Sequence, residues 1–378
     1  MNSTPEQSQW PEPFLAALNA AKGKSASPKE LDRVAKLYGG EAARWAFGQW
    51  ALRERAKARF ADADSMFFVA EALEQASHER IAAYHAAQFP SQEPIVDLTC
   101  GIGSDLRAFA RRGPATGVEL DEERARCARA NSDSPVIIGD CLEVAPQASY
   151  YFCDPSRRDM RGRASADLDR HLPNPEVVLE TFSHARLILL RLSPLVRDHD
   201  LRALGIRCEF LSLGRSCREA LVYAGPEARP GWMAIHLESG ESLEPISELA
   251  PLTPQPQAWL FDIDPAALRS GCLSTLANMF ELEFWGRDHG FLTGSTEVIS
   301  PWLRAYKVLE TGKFELKLVR QMLAKHDWYT KTIKPRGVSI SPEETLKKLP
   351  REGSVEVDLL VVGTSSGASV SYCIPTKL

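Results

Sequence analysis

Apolar positions in the first 88 residues recur at helix-like spacings. In EALEQASHERIAAYHAAQF, Leu73, Ala76, Ile81 and Tyr84 fit a helical period, and nothing alternates as a strand would. SPKELDRVAKLY opens with Ser27 and Pro28, a cap followed by proline at the first helical position. The segment LEQAS (73–77) reads as a packed helix, placed so that it could also close over a ligand. FPSQEP then breaks the helical pattern, and IVDLT (95–99) is the first clear strand.

From there continuous apolar runs alternate with helical stretches. ATGVEL (115–120) precedes DEERARCARAN, and PVIIG (135–139) precedes a short DCLEVA turn. SYYFC (149–153) leads through an Arg-rich loop into PEVVLETFSHA, and LILLRL (187–192) leads into LVRDHDLRALG. IRCEFLSL and EALVYA follow with no helix between them, as an antiparallel pair would. Alternating strand and helix predicts an α/β fold with a mainly parallel sheet, and the unbroken apolar runs predict strands covered on both faces. ELAPLTPQPQ (248–257) carries three prolines and reads as a linker. Beyond it AWLFDID, LRAYKVLE, VEVDLLVVG and ASVSYCI read as strands, with helices from about residue 264 and near KFELKLVRQML. The expected organisation is a helical region (1–88), an α/β domain (89–247) and an α+β domain (258–378). There is no internal repeat.

Composition narrows the class. Hydrophobic residues make up 44% and charged residues 25% of 378, the proportions of an ordinary globular protein. No basic segment followed by an apolar one opens the chain, and no apolar run reaches the roughly 20 residues of a membrane helix. Eight cysteines show neither CxxC pairs nor Cys/His spacing for a metal, so no metal is expected. Cysteines beside the candidate site suit a reducing cytoplasm. The net charge of −5 argues against a coat-like nucleic-acid binder but leaves room for a local basic surface.

VDLTCGIGSDLRAF (96–109) carries the first chemistry. A strand ends in Asp97, Gly101 and Gly103 follow one residue apart, and a helix can begin, which is the layout of a nucleotide crevice. Leu106 occupies the place of the third glycine of a dinucleotide site, so NAD and FAD are not expected. Glu119 closes the second strand and Asp140 follows the third, both where ligands meet the carboxyl ends of a parallel sheet. Glu119 is placed for two ribose hydroxyls and Asp140 for an exocyclic amine. Alone, each acid would read as a helix cap or turn residue; in register with the glycine loop, together they point to a ligand.

These residues resemble class I S-adenosylmethionine-dependent methyltransferases. The resemblance implies S-adenosyl-L-methionine as cofactor and a Rossmann-like sheet. It implies a cofactor site of Asp97, Thr99, Cys100, Gly101, Ile102 and Gly103 in the loop, with Glu119 and Leu120 at the ribose and Asp140 and Cys141 at the adenine. Thr99 stands where many members have glycine, and with CGIG after it the loop resembles RNA-modifying members.

CDPSRRDMRGR (153–163) follows the fourth strand, where members of that family carry an Asp/Asn-Pro signature at the methyl acceptor. Asp154 can accept a hydrogen bond or proton from an attacking amine, and Pro155 stiffens the turn. The run resembles the Asp-Pro-x-Arg of RNA uracil-5 methylases, but LRLSPL lacks the cysteine that carbon-5 chemistry needs, so a nitrogen acceptor is expected. Arg157, Arg158, Arg161 and Arg163 could grip phosphates bidentately or pair with nearby acids on the surface. Cys153 reads as a buried strand-end thiol, and His171, His184 and His199 as surface residues.

The helical N terminus, DLTCGIGSD, DPSRR, the LSP segment and KPRGVSISPEETLKKL together resemble the methyltransferase family with a C-terminal THUMP-like domain, over most of residues 65–363. Between Trp302 and Arg351 twelve Lys or Arg face five Asp or Glu. Lys313, Lys317 and Arg320 are spaced to share one helix face, and Trp328 and Tyr329 stand near Lys331, Lys334 and Arg336 as stacking residues for an unpaired base. The expected function is methylation of a base nitrogen in RNA, tRNA or rRNA. The alternative is a catalytically silent RNA-, ribosome- or protein-directed module keeping the fold.

Overall fold

The computed structural model describes residues 10–156, 167–286, 290–365 and 367–376. They form two compact units, Met1–Arg207 with Leu221–Pro230, and Cys208–Ala220 with Gly231–Leu378.

The first unit begins with helices α1 (Glu12–Ala21), α2 (Pro28–Tyr38), α3 (Gly40–Ala56), α4 (Ala70–Gln75) and α5 (Glu79–Ala87). Ser27 caps α2 by accepting from the Glu30 amide, with Pro28 in the first turn, as the sequence predicts. A parallel sheet follows. Its strands and helices are β1 (Ile95–Asp97), α6 (Ser104–Ala110), β2 (Ala115–Glu119), α7 (Glu122–Ser132), β3 (Val136–Ile138), α8 (Cys141–Val144) and β4 (Tyr150–Cys153). Then come α9 (Pro175–Thr181), β5 (Leu187–Leu192) and α10 (Asp198–Leu204). The strands lie in the order β3-β2-β1-β4-β5, each pair parallel. Reversal of direction along the sheet after β1 opens a crevice at the strands' carboxyl ends. All residues of β1 and β4 are buried, as expected of strands covered on both faces.

The N-terminal helices are tied to the glycine loop. Ile102 and Cys127 share a core with Phe60, Met66, Phe68 and Leu73. Asn131 on α7 donates to the carbonyls of Phe67 and Ile102 and accepts from the Phe67 amide, so one side chain clamps both segments.

Strands β6 (Arg207–Ser212) and β7 (Cys217–Ala224) have residues in both units. The second unit continues with β8 (Gly231–His236), β9 (Glu241–Leu243), β10 (Leu252–Thr253), β11 (Trp259–Ile263), α11 (Pro265–Arg269), α12 (Leu273–Met279) and β12 (Glu283–Trp285). It ends with β13 (Phe291–Gly294), β14 (Leu303–Lys313), α13 (Leu316–Lys325), β15 (Trp328–Arg336), α14 (Pro342–Leu346), β16 (Val355–Thr364) and β17 (Gly367–Pro375). Eight of its strands form a mostly antiparallel sheet in the order β10-β12-β13-β11-β14-β17-β16-β15. That sheet is covered on both faces: Val357, Leu359 and Val361 of β16 pack with Val319 and Leu323 of α13, while Leu360 and Val362 pack with Trp285, Phe291 and Tyr306.

The sheet is also rolled. Lys334 and Arg336 on β15 reach the Asp262 carboxylate on β11, at 2.5 and 2.9 Å. Three strands separate β15 from β11 in the sheet order. At about 4.8 Å per strand, a flat sheet would hold them roughly 19 Å apart. Burial alone would raise the Asp262 pKa, but Lys334 and Arg336 overcome it and hold the carboxyl below its ordinary value. A depressed carboxyl contributes stability above its unfolded pKa of about 4, and that stability is lost as pH falls through the folded value. We therefore expect Asp262→Asn to cost about 2–3 kcal/mol at neutral pH, allowing for the part-exposed cations. The difference between variant and parent should shrink below about pH 4, and equal melting temperatures at pH 7 would show that the pair does not hold the roll together.

Candidate cofactor cleft and acceptor site

The apolar β1 run stops at Asp97, and the chain turns through Leu98 to Gly103 into α6. Gly101 and Gly103 both adopt left-handed backbone, with φ of +55° and +85°. A Cβ on Gly103 would lie 2.9 Å from the Ala128 Cα, so close packing on α7 requires glycine there. The Cys100 thiol packs under Gly117, leaving no room for a side chain at that point of β2. Thr99, which departs from the family's usual glycine, braces the site instead. Its hydroxyl accepts from the Asp154 amide at 2.8 Å, joining the loop to the end of β4.

The loop forms one wall of a cleft of about 490 Å³, within the ~300–1,000 Å³ typical of small-molecule sites. Thr99, Cys100, Gly101, Ile102, Glu119, Leu120, Asp140, Cys141 and Asp154 line it, whereas Asp97 and Gly103 of the same segment do not. Glu119 accepts from the Gly101 amide at 2.8 Å and the Asp121 amide at 3.0 Å, one on each carboxylate oxygen, which fixes the carboxylate and leaves each oxygen a further lone pair. Asp140 caps α8 through one oxygen, accepting from the Leu142 amide at 3.0 Å; among the described residues the other oxygen accepts no hydrogen bond. Leu120 is 74% exposed, an apolar face presented beside these polar groups.

Asp97 differs from the other acids. One of its oxygens accepts from the Thr99 amide at 3.2 Å, and the other is buried with no partner. Burial, followed by the nearby Asp105, pushes its carboxyl well above the usual range. The Ser104 hydroxyl is likewise buried and unpartnered. Such groups are costly unless something pairs with them. The residues present fit S-adenosylmethionine: the fixed Glu119 carboxylate beside the glycine loop would suit its diol, and the Asp140 carboxylate its adenine amine.

Two features of this site are not readable from the local sequence pattern. Asp105, the second residue of α6, accepts from Ser77 at 2.6 Å and contacts His85 Nδ1 at 2.8 Å, all three being buried. Gln75, Ala76 and Ser77 line the cleft, while Leu73 of the same segment packs in the helical core. The second is Arg191 on β5. The β4–β5 register sets Cys153 opposite Leu190, so Asp154 and Arg191 stand at neighbouring positions, and the guanidinium donates to the Asp154 carboxylate. Pro155 follows Asp154 as expected, with Ser156 bridged to Leu172 through two backbone hydrogen bonds.

Other expectations are corrected or lie elsewhere. His171 is fully buried, not a surface residue, and its Nδ1 contacts the Asp167 carbonyl. Cys153 is fully buried, as expected, and burial pushes its thiol and that of Cys100 well up and Cys141 to about 11, so none offers a thiolate near neutral pH. Arg157, Arg158, Arg161 and Arg163 lie outside the described residues. Lys313 does not share a helix with Lys317 and Arg320: it ends β14, because α13 starts only at Leu316. It is paired with Glu315 at 2.5 Å, and Arg320 donates to the Lys348 carbonyl at 2.7 Å. Trp328 stacks on His326, and Tyr329 donates to Glu356, so both rings are engaged within the fold. Among the described residues no cluster could hold a metal, and no helix is long and apolar enough to cross a membrane.

A five-stranded parallel run whose first turn is a left-handed Gly-x-Gly held by a strand-end acid has the fold and cleft of the class I S-adenosylmethionine-dependent methyltransferases. More particularly, the chain is similar to proteins from two strains of Mycobacterium tuberculosis, each named as an uncharacterized S-adenosylmethionine-dependent methyltransferase. They are 26% identical over 359 residues, spanning 89% of this chain and 99% of the relative. A solved structure from Porphyromonas gingivalis W83, described as a candidate methyltransferase, shares the fold with a TM-score of 0.78. It is 21% identical and matches 97% of this chain and 98% of its own. No family model matches the chain.

Proposed function

We propose that this methyltransferase transfers its methyl group to a base nitrogen in RNA, tRNA or rRNA. Asp97, Thr99, Cys100, Gly101, Ile102 and Gly103 hold the methionine end of the cofactor, Glu119 and Leu120 the ribose, and Asp140 and Cys141 the adenine. The bound cofactor supplies an electrophilic methyl on a sulfonium. Asp154 accepts a hydrogen bond from the acceptor N–H, turning the nitrogen lone pair towards the cleft, and Pro155 limits the freedom of that turn. The observation that carries the nitrogen reading is a carboxylate lining the cleft, Asp154, in a chain whose LRLSPL segment lacks the cysteine that carbon-5 attack needs.

RNA is supported by charge. Twelve Lys or Arg against five Asp or Glu between Trp302 and Arg351 stand out in a chain of net charge −5. In this reading the C-terminal region is THUMP-like and presents RNA, with Lys313, Lys317 and Arg320 at its surface and Arg157, Arg158, Arg161 and Arg163 on phosphates near the acceptor. Mass spectrometry of nucleosides from matched wild-type and deletion-strain RNA should show one N-methylated nucleoside missing from the deletion strain. A missing 5-methyluridine would overturn the nitrogen assignment, and unchanged RNA would overturn RNA as the substrate.

A further inference from the structure

The motif KPRG is not used by the methyl-transfer site, yet its two cations are placed with care. Lys334 and Arg336 point to the inner face of the rolled sheet, where both pair with the buried Asp262. Arg304 stands directly opposite Asp262 in the β11–β14 register, hence on the same face, with its guanidinium 5.4 Å from the Tyr306 ring centre. Arg215 approaches from the loop before β7 and donates to the Asp262 carbonyl at 3.2 Å. The nearby carboxylates are Asp262 and Asp358; Lys334 favours the ionised form of both, and Arg304 that of Asp358. Lys334, Arg336 and Arg304 thus stand on this face with Asp262 and Asp358, while Arg215 is held by the Pro301 and Asp262 backbone carbonyls. Among the described residues neither Arg304 nor Arg215 has a carboxylate at ion-pair distance.

Tyr306 adds a donor to the same face. It is fully buried, and Lys334 stands near enough to donate to its hydroxyl, while the hydroxyl's own proton meets no acceptor among the described residues. Burial, outweighing the neighbouring cations, raises its pKa, so it remains a donor. A buried donor among surplus cations is suited to an acceptor carrying negative charge.

We infer that this polar end of the rolled sheet is an oxyanion site that takes one phosphate group through Arg304, the Tyr306 hydroxyl and the Lys334–Arg336 pair. Asp262 pre-orients the pair without neutralising both members. Phosphate suits the set because its tetrahedral oxygens can meet several donors at once, and a guanidinium can meet two of them. The phosphate could belong to a nucleic-acid strand or to a free phosphate-bearing molecule. Only the first source rests on the RNA reading.

The test uses the full chain, with inorganic phosphate and a short single-stranded RNA as separate probes. Tyr306→Phe removes one buried hydroxyl and leaves the Asp262 pairs of Lys334 and Arg336 intact, so the variant should melt close to the parent's temperature, which separates binding from folding. Arg304→Gln removes a cation without leaving a carboxylate unpaired. Each variant should bind phosphate roughly tenfold more weakly, the loss expected for one charge-assisted hydrogen bond. A matching loss of RNA affinity, with a shallower salt dependence for Arg304→Gln, assigns the site to a phosphodiester strand. Loss of phosphate binding with RNA affinity unchanged assigns it to a free phosphate-bearing molecule and removes this surface from the RNA reading. A parent that binds neither probe, or well-folded variants that bind both probes as the parent does, would overturn the site.

Discussion

Asp154→Ala should reduce methyl transfer by about 10²- to 10⁴-fold, the usual contribution of a positioned acid–base group. Cofactor affinity should stay within about twofold of the parent, because the variant leaves the Glu119–Gly101 bond and the Asp140 cap of α8 untouched. The backbone should also hold, since the bond from residue 154 to the Thr99 hydroxyl uses the amide and not the carboxylate. Arg191 acts through Asp154. It is largely buried and donates to the carboxylate from the adjoining strand, which fixes the rotamer of a residue that lines the cleft. Arg191→Met should therefore lower the turnover rate while leaving the KM for cofactor unchanged, and Arg191→Lys should recover part of the loss. These rates can be read as labelled methyl incorporated into RNA from a deletion strain, with calorimetry reporting cofactor binding. An Asp154→Ala enzyme that methylates at the parental rate would remove the carboxylate from the acceptor site.

Much of the first unit is legible in the sequence because its signals are local. A strand's apolar run, two glycines and an acid at each strand end lie within a few residues of what they specify, and the parallel strands β1 to β5 appear where the pattern sets them. Thr99 is visible as a departure, but its purpose depends on a hydrogen bond to residue 154, which the loop sequence does not contain. Arg191 is hidden in LILLRL, where one charge in an apolar run reads as an outward-facing residue; only the strand register makes it Asp154's partner. The Ser77–Asp105–His85 contacts likewise join three segments with no shared motif. The second unit is harder, because its sheet is rolled by contacts between residues 72 and 74 positions apart. Lys334 and Arg336 look like exposed basic residues until Asp262 is seen between them. The spacing of Lys313 to Lys317 and Arg320 fits a helix, but β14 extends through Lys313 and pairs it with Ser369 on β17.

The two loop glycines should fail in different ways when each is replaced by alanine. Both need left-handed backbone, which costs an L-residue about 1–2 kcal/mol. At Gly101 the cost ends there, because a Cβ would meet nothing within 4 Å of the protein. It would instead project from a residue that lines the cleft and whose amide is already fixed by Glu119. At Gly103 a Cβ would press on the Ala128 Cα at 2.9 Å and carbonyl oxygen at 3.0 Å, both backbone atoms that cannot rotate away. Overpacking of that kind adds about 1–3 kcal/mol and would push α7 away from the loop. Gly101→Ala should thus melt only slightly below the parent yet bind cofactor at least roughly tenfold more weakly, a loss of about 1.4 kcal/mol. Gly103→Ala should lose about 2–5 kcal/mol of stability, and its weakened binding should follow from the displaced loop. Thermal unfolding with and without S-adenosylmethionine separates the two cases. Cofactor should raise the melting temperature of the parent far more than that of Gly101→Ala. If Gly101→Ala gains as much from cofactor as the parent does, the ligand does not pass over Gly101, and the loop must hold it along another edge.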